Sequence, residues 1–194
     1  MTPSTHHLSS DDYPQTEGAG TQNWHLREFS GAGYDKGRSR PIQAAWFAIS
    51  NLVFMSWWCP RRLRPFLLRV FGADIGKGVF IRHGVRVLWP WKLQVGDHTW
   101  IGEGVWLLNL EQITLGSDVC LSQGAFLCTG SHDRHSPSFE FDNGPITIGD
   151  QSWIAAQALI LRGVDVQTRS VVGARAVVTR DVPTGSRVPA GERW

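Results

Sequence analysis

The stretch Ile148-Gly149-Asp150-Gln151-Ser152-Trp153-Ile154-Ala155-Ala156-Gln157-Ala158-Leu159-Ile160 places an aliphatic residue at every sixth position. Read outward, the same spacing recurs in Ile75, Ile81, Val87; in Val95, Ile101, Leu107; in Leu115, Leu121, Leu127; and in Val166, Val172, Val178. A helix returns its apolar side every 3.6 residues and a half-buried strand every 2, so a period of six is neither. It marks a repeat whose unit buries its apolar side only by stacking on its neighbours.

Three hexads make one turn, giving five turns over Ile75 to Val182. Gly76, Gly96, Gly116 and Gly149 follow the first aliphatic residue of four turns, and Gly102, Ser122, Ala155 and Gly173 follow the second. Small residues at recurrent corners between short strands predict a triangular solenoid of parallel strands, filled by Ile, Leu and Val too tightly for water. The spacing leaves handedness open, since the general rule for parallel crossovers is right-handed.

Of 194 residues, 42% are hydrophobic and 19% charged, as in one ordinary globular domain with an appendage. A net charge of +2 without an aromatic-basic motif argues against nucleic acid as a partner. Cys59, Cys120 and Cys128 contain no CxxC pair and read as reduced packing residues. The start lacks a basic segment followed by an apolar one, so a secretory signal is not expected and the cytoplasm is the default location.

Residues 1–40 are rich in Ser, Thr, Gly, Asp and Gln and are expected to form a mostly flexible arm, with Trp24 to Phe29 able to dock on the coil or on another subunit. Residues 41–72 are expected to be helical, with Pro41 suited to a first helical turn. The uninterrupted apolar stretch falls short of the roughly 20 residues a spanning helix needs. Two roles suit it: capping the open end of the solenoid, and, through Trp and the basic Arg61, Arg62, Arg64 and Arg69, peripheral contact with the inner face of a membrane. The coil then occupies 73–183, and 184–194 is expected to be a short tail.

The joins between the first turns carry small bulges, but between Leu127 and Ile148 the hexads break for a projecting loop over 133–147, containing Pro137, Asn143, Gly144 and Pro145. Long loops on regular scaffolds are enriched in binding roles. Of the coil-region histidines, His132 stands where the coil meets this loop, which favours it as a proton acceptor. Asp133 beside it orients the imidazole or the acceptor, or only caps the loop turn. Asn109 interrupts the apolar run Leu107-Leu108-Asn109-Leu110, a place for an amide only where its hydrogen bonds are used.

The hexads together with Trp89-Pro90-Trp91-Lys92-Leu93, Trp106-Leu107-Leu108-Asn109-Leu110-Glu111 and Phe126-Leu127-Cys128-Thr129-Gly130-Ser131-His132-Asp133 resemble the left-handed β-helix acyltransferases, most closely the O-acetyltransferases of colanic acid biosynthesis. That resemblance implies an all-β fold, a left-handed parallel β-helix of hexapeptide repeats preceded by a helical segment. It further implies acetyl-CoA as donor, the hydroxyl of a sugar or oligosaccharide, free or lipid-linked, as acceptor, a homotrimer with sites between subunits, and no metal.

By the same resemblance His132 is the general base, Asn109 lies beside the acceptor, and Ala156, Ala174, Thr179 and Arg180 contact CoA. Ala156 and Ala174 are eighteen positions apart, which sets them one layer apart on one side, where small side chains let extended pantetheine approach. Two other classes compete on this architecture. A zinc carbonic anhydrase-like site needs three converging histidines with a His-x4-His pair, whereas His132 and His135 enclose two residues. The other is a coil that binds without catalysing.

Overall fold

The computed structural model describes residues 23–194. All fifteen hexad positions are buried and line one continuous core. Around them the chain winds three parallel sheets, one per side of a triangular prism.

Face A contains β1 (Asp74–Ile75), β4 (Leu93–Val95), β7 (Ile113–Leu115), β10 (Ile146–Ile148) and β13 (Asp165–Val166). Face B contains β2 (Phe80–Ile81), β5 (Trp100–Ile101), β8 (Cys120–Leu121), β11 (Trp153–Ile154), β14 (Val171–Val172) and β16 (Arg187–Val188). Face C contains β3 (Arg86–Val87), β6 (Trp106–Leu108), β9 (Phe126–Cys128), β12 (Leu159–Leu161) and β15 (Val177–Val178). Each strand pairs with its counterpart in the next turn, so Ile75 lies beside Val95, Val95 beside Leu115, Leu115 beside Ile148 and Ile148 beside Val166. Like side chains therefore stack in columns through the core, each filling the gap left by the one below.

The expected tail at 184–194 is instead part of a sixth turn. Val182 pairs with Val166, Arg187–Val188 with Val171–Val172, and Arg193 with Val177. Val182 and Val188 are buried and continue the core. Val182 follows Val178 by only four positions, so a register that advances by six loses the repeat there.

Glycine has a different reason at the first corner from backbone freedom. A Cβ on Gly96 would stand 2.5 Å from the Gly116 carbonyl carbon, so layer-to-layer approach excludes any side chain. The left-handed backbone falls two residues later, at His98, Asp118, Gln151 and Arg169, with φ between 56° and 58°.

Helix α1 (Arg40–Ile49) continues through a wider π-wound stretch, Ser50–Phe54, and turns into α2 (Leu63–Val70). Trp46, Phe54 and Leu68 from this segment join the coil core, and the Trp46 indole N–H donates to the Val87 carbonyl at 3.0 Å. The Gly84 amide donates to the Met55 carbonyl at 2.9 Å. The segment thus covers core side chains and backbone groups that the first turn has no earlier layer to cover. Arg64 departs from the basic face expected of it: it is buried, with Nε donating to Phe54 O at 3.0 Å and a terminal nitrogen to Ser56 O at 2.7 Å. It ties the two helices together, and Arg69 similarly holds Ile75 O and Gly76 O at 3.0 and 2.7 Å. No described helix is long and apolar enough to cross a membrane.

The outward columns of the three faces differ. Face A presents Asp74, Gln94, Thr114, Thr147 and Asp165. Face B presents Phe80, Trp100, Cys120, Trp153 and Val171, with Trp100 and Trp153 exposed, and ends on Arg187; face C begins at Arg86 and then presents Trp106 stacked on Phe126 at 4.6 Å, Leu159 and Val177. At the edge that carries Ala156 and Ala174 the neighbouring outward residues, Trp153, Val171, Leu159 and Val177, are apolar.

The arm is described from residue 23 onward, and residues 1–22 of the expected flexible segment lie outside the described residues. From Asn23 the chain does not run free: it packs against the projecting loop of its own subunit, with Trp24 on Phe139 at 4.8 Å, Phe29 on Phe141 at 5.1 Å and Tyr34 on Phe141 at 5.0 Å.

Candidate active site

His132 leaves the coil just beyond β9 and pairs antiparallel with Phe141, which folds the loop back over itself. Its ring lies flat on Phe139, with centroids 4.4 Å apart and planes 6° apart, and Phe29 of the arm meets it edge-on at 5.5 Å. His132 Nδ1 is 2.7 Å from the Phe139 carbonyl oxygen. A carbonyl only accepts, so the proton of the neutral ring belongs on Nδ1 and the lone pair on Nε2. This is the tautomer a general base requires, held in place by the stacked Phe139 ring and the edge-on Phe29.

Asp133 does not touch this ring. Its carboxylate accepts the His135 amide at 2.8 Å, capping the loop turn, so the orienting partner expected of Asp133 is the Phe139 carbonyl instead. The loop is held from outside by Glu140, which accepts Ser30 N and Ser30 Oγ at 2.9 Å and Gly31 N at 3.0 Å. The Ser30 amide, followed by these other arm bonds and nearby His132, draws the Glu140 carboxyl below its ordinary range.

Asn109 is also placed differently from the acceptor-side role the sequence implied. It is fully buried; its oxygen accepts Leu88 N at 3.1 Å and Trp89 N at 3.0 Å, while its nitrogen donates to Trp89 O at 2.6 Å and Lys92 O at 2.9 Å. Both ends of the amide are committed to the bulged corner below, so Asn109 shapes the coil and has no donor left for a substrate. Thr129 stands above it in the next layer and bonds Leu108 O and Glu111 N, each at 2.9 Å.

Beside Phe141 a cavity of about 200 Å³ opens between arm, loop and coil, lined by Gly33, Tyr34, Glu111, Phe141 and Asn143. Burial pushes the Tyr34 phenol up, against the opposing effect of its 2.6 Å bond from the Trp89 indole. Tyr34, Phe139, Glu140 and Phe141 escaped the sequence reading. The signal for them is Phe139-Glu140-Phe141 in a loop otherwise built of polar and turn residues, matched by Phe29 and Tyr34 in an arm that is equally polar.

No protein-family profile matches the chain. It is 42% identical over 154 residues, 78% of its own length and 83% of the relative's, to a protein of Escherichia coli named for colanic acid biosynthesis acetyltransferase activity. The chain belongs to the hexapeptide-repeat acetyltransferase family. A solved structure of a hexapeptide-repeat acetyltransferase from Vibrio cholerae superimposes with a TM-score of 0.70 at 27% identity, over 77% of this chain and 85% of that one. A galactoside acetyltransferase solved in complex with coenzyme A shares the fold, with a TM-score of 0.69 at 21% identity over 77% and 76% of the two chains.

In this hexapeptide-repeat acetyltransferase Ala156 and Ala174 stand one above the other on the edge between faces B and C: the Arg175 amide donates to Ala156 O at 3.0 Å. Ala190, which the sequence reading assigned to the tail, continues this column, since the Gly191 amide donates to Ala174 O at 2.9 Å. Among the described residues neither the Ala156 nor the Ala174 amide has an acceptor. Thr179 and Arg180 follow β15 and so stand at the other end of face C, about 16 Å away by strand rise. There the Thr179 hydroxyl donates to Trp194 O at 2.7 Å, and the Arg180 guanidinium lies 5.1 Å over the Trp194 ring. Within one chain Ala156 and Ala174 thus stand at one edge of face C, and Thr179 and Arg180 at the other. Nor are three His, Cys, Asp or Glu side chains gathered as a metal site among the described residues; the His135 ring accepts from Arg134 Nε at 3.1 Å.

Proposed function

We propose that this acetyltransferase moves acetyl from acetyl-CoA to a hydroxyl of a sugar, with His132 as general base and no acyl-enzyme. The observation that carries the reading is the 2.7 Å contact of His132 Nδ1 with Phe139 O, which reserves Nε2 for the acceptor proton. A sugar hydroxyl ionises negligibly at neutral pH and must lose its proton as it attacks the thioester carbonyl. His132 then holds that proton as imidazolium until the departing thiolate takes it.

Relatives named for colanic acid biosynthesis and as galactoside O-acetyltransferase support a sugar acceptor, and a neighbouring structure solved with acetyl-CoA, at 24% identity and a TM-score of 0.71, supports the donor. The cysteines are poor nucleophile candidates: burial raises the Cys128 thiol, which donates to Gly130 O at 3.3 Å.

The donor groove proposed runs along the Ala156–Ala174 edge, with Thr179 and Arg180 supplied from a neighbouring copy, in a homotrimer. Apolar faces on both sides of that edge favour burial against other copies, while the polar outward column of face A favours water. Free-thiol release from acetyl-CoA across a panel of mono- and oligosaccharides tests the reading. Acceptor-dependent release supports it, and donor binding without release on any sugar argues for a non-catalytic coil.

A further inference from the structure

Residues 41–60 contain no charged side chain, and no acidic residue occurs between Asp35 and Asp74, although Arg38, Arg40, Arg61 and Arg62 do. The helical cap built from this segment turns Trp46 and Phe54 into the core but leaves its other side open. There Trp57 is 81% exposed, Phe47 71%, Leu52 70% and Trp58 53%; on α2, Phe66 and Val70, one turn apart, are 55% and 62% exposed. Core burial accounts for one side of an amphipathic helix, and here the other side is apolar as well. The exposed Arg61 and Arg62 follow the two tryptophans after Cys59-Pro60 and, with the bonded Arg69, Phe80 and Trp100, line a cavity of about 680 Å³. The Arg61 guanidinium lies 5.3 Å over the Phe80 ring.

We propose that this cap docks on an anionic membrane surface. Phe47, Leu52, Trp57 and Trp58 enter the boundary between headgroups and acyl chains, and Arg61 and Arg62 rest on lipid phosphates. The order along the chain, from uncharged apolar residues through paired tryptophans to paired arginines, follows the layering of a bilayer from hydrocarbon through interface to phosphate. Cap-on-cap pairing of two copies is a poorer arrangement: it sets arginine against arginine with no carboxylate in either segment. Spanning is a different structure, and no described helix has the length and apolarity for it. Resting on the acetyl-transfer reading, the acceptor class becomes a sugar carried on lipid phosphate. His132 stands in the third turn, about 10 Å along the coil from the capped first turn, where such a sugar projects from the surface.

Flotation of the full chain with phosphatidylcholine vesicles, with and without phosphatidylglycerol, tests the docking. Binding is expected to the anionic vesicles only, falling at least tenfold in Arg61→Glu/Arg62→Glu and in Trp57→Ser/Trp58→Ser. Arg64 is left intact because it holds the helices together. Thiol release on a free sugar is expected to be unchanged in both variants, which separates the two ideas: vesicle binding without any turnover counts against the acetyl-transfer reading alone. Absence of vesicle binding by the unmodified chain, or equal binding by the variants, overturns the docking. So does a fall in oligomeric state of Phe47→Asn/Leu52→Asn by light scattering, which assigns the face to another copy.

Discussion

The backbone carbonyl of Phe139 accepts a hydrogen bond from Nδ1 of His132 at 2.7 Å, and the Phe139 ring lies flat against the same imidazole at 4.4 Å. One residue of the projecting loop thus fixes both the tautomer and the plane of the proposed base. The loop is in turn fixed by the arm, which makes three hydrogen bonds to Glu140, the residue next to Phe139.

Asp133 is accordingly expected to matter little. Asp133→Asn keeps an oxygen for the His135 amide, and kcat/KM should stay within a few-fold of the unmodified enzyme. A loss of a hundredfold or more would give the carboxylate a direct part in orienting the base.

Glu140 makes the arm's attachment sensitive to acid. Its folded carboxyl is held below its ordinary range, so the stabilisation is complete above the ordinary carboxylate pKa and is lost as pH falls through the depressed folded value. Hydrogen exchange at the Ser30 and Gly31 amides should accelerate in acid, and at neutral pH in Glu140→Ala, while exchange in the coil strands is unchanged. Equal protection with and without the carboxylate would show that the aromatic contacts alone hold the arm.

Asn109→Ala should act on stability. It removes four hydrogen bonds from a fully buried corner and leaves the Trp89 amide and the Lys92 carbonyl unpaired, at a cost of roughly 2–4 kcal/mol. Denaturant midpoints measure this. An unchanged midpoint with collapsed kcat would restore the acceptor-side role read from the sequence.

Ala156→Trp and Ala174→Trp should fold normally, since both side chains point away from the core, and should lose measurable acetyl-CoA binding by calorimetry. Unchanged affinity in both would move the donor away from this edge.

These expectations divide along what a sequence can carry. The hexads were legible because each repeats one local requirement, and every one of the fifteen aliphatic positions is buried. The sixth turn was not, because its join is short and its last corner ends on Trp194 rather than an aliphatic residue. Arg64 read as a surface cation because nothing local marks an arginine whose donors meet the carbonyls of Phe54 and Ser56. The loop junction singles out His132 as the proposed base, but the groups that hold its ring come from Phe139 and from the arm more than a hundred residues earlier, contacts with no period to betray them.

The central claim is that His132 takes the acceptor proton in a direct transfer, and single-turnover acetyl transfer to an accepted sugar by His132→Ala tests it most directly. The account predicts a rate lowered roughly 10²- to 10⁴-fold with acetyl-CoA affinity unchanged, and no acetyl group on the protein at any time. Near-normal transfer by His132→Ala, or acetyl trapped on Cys120 or Cys128, would contradict it.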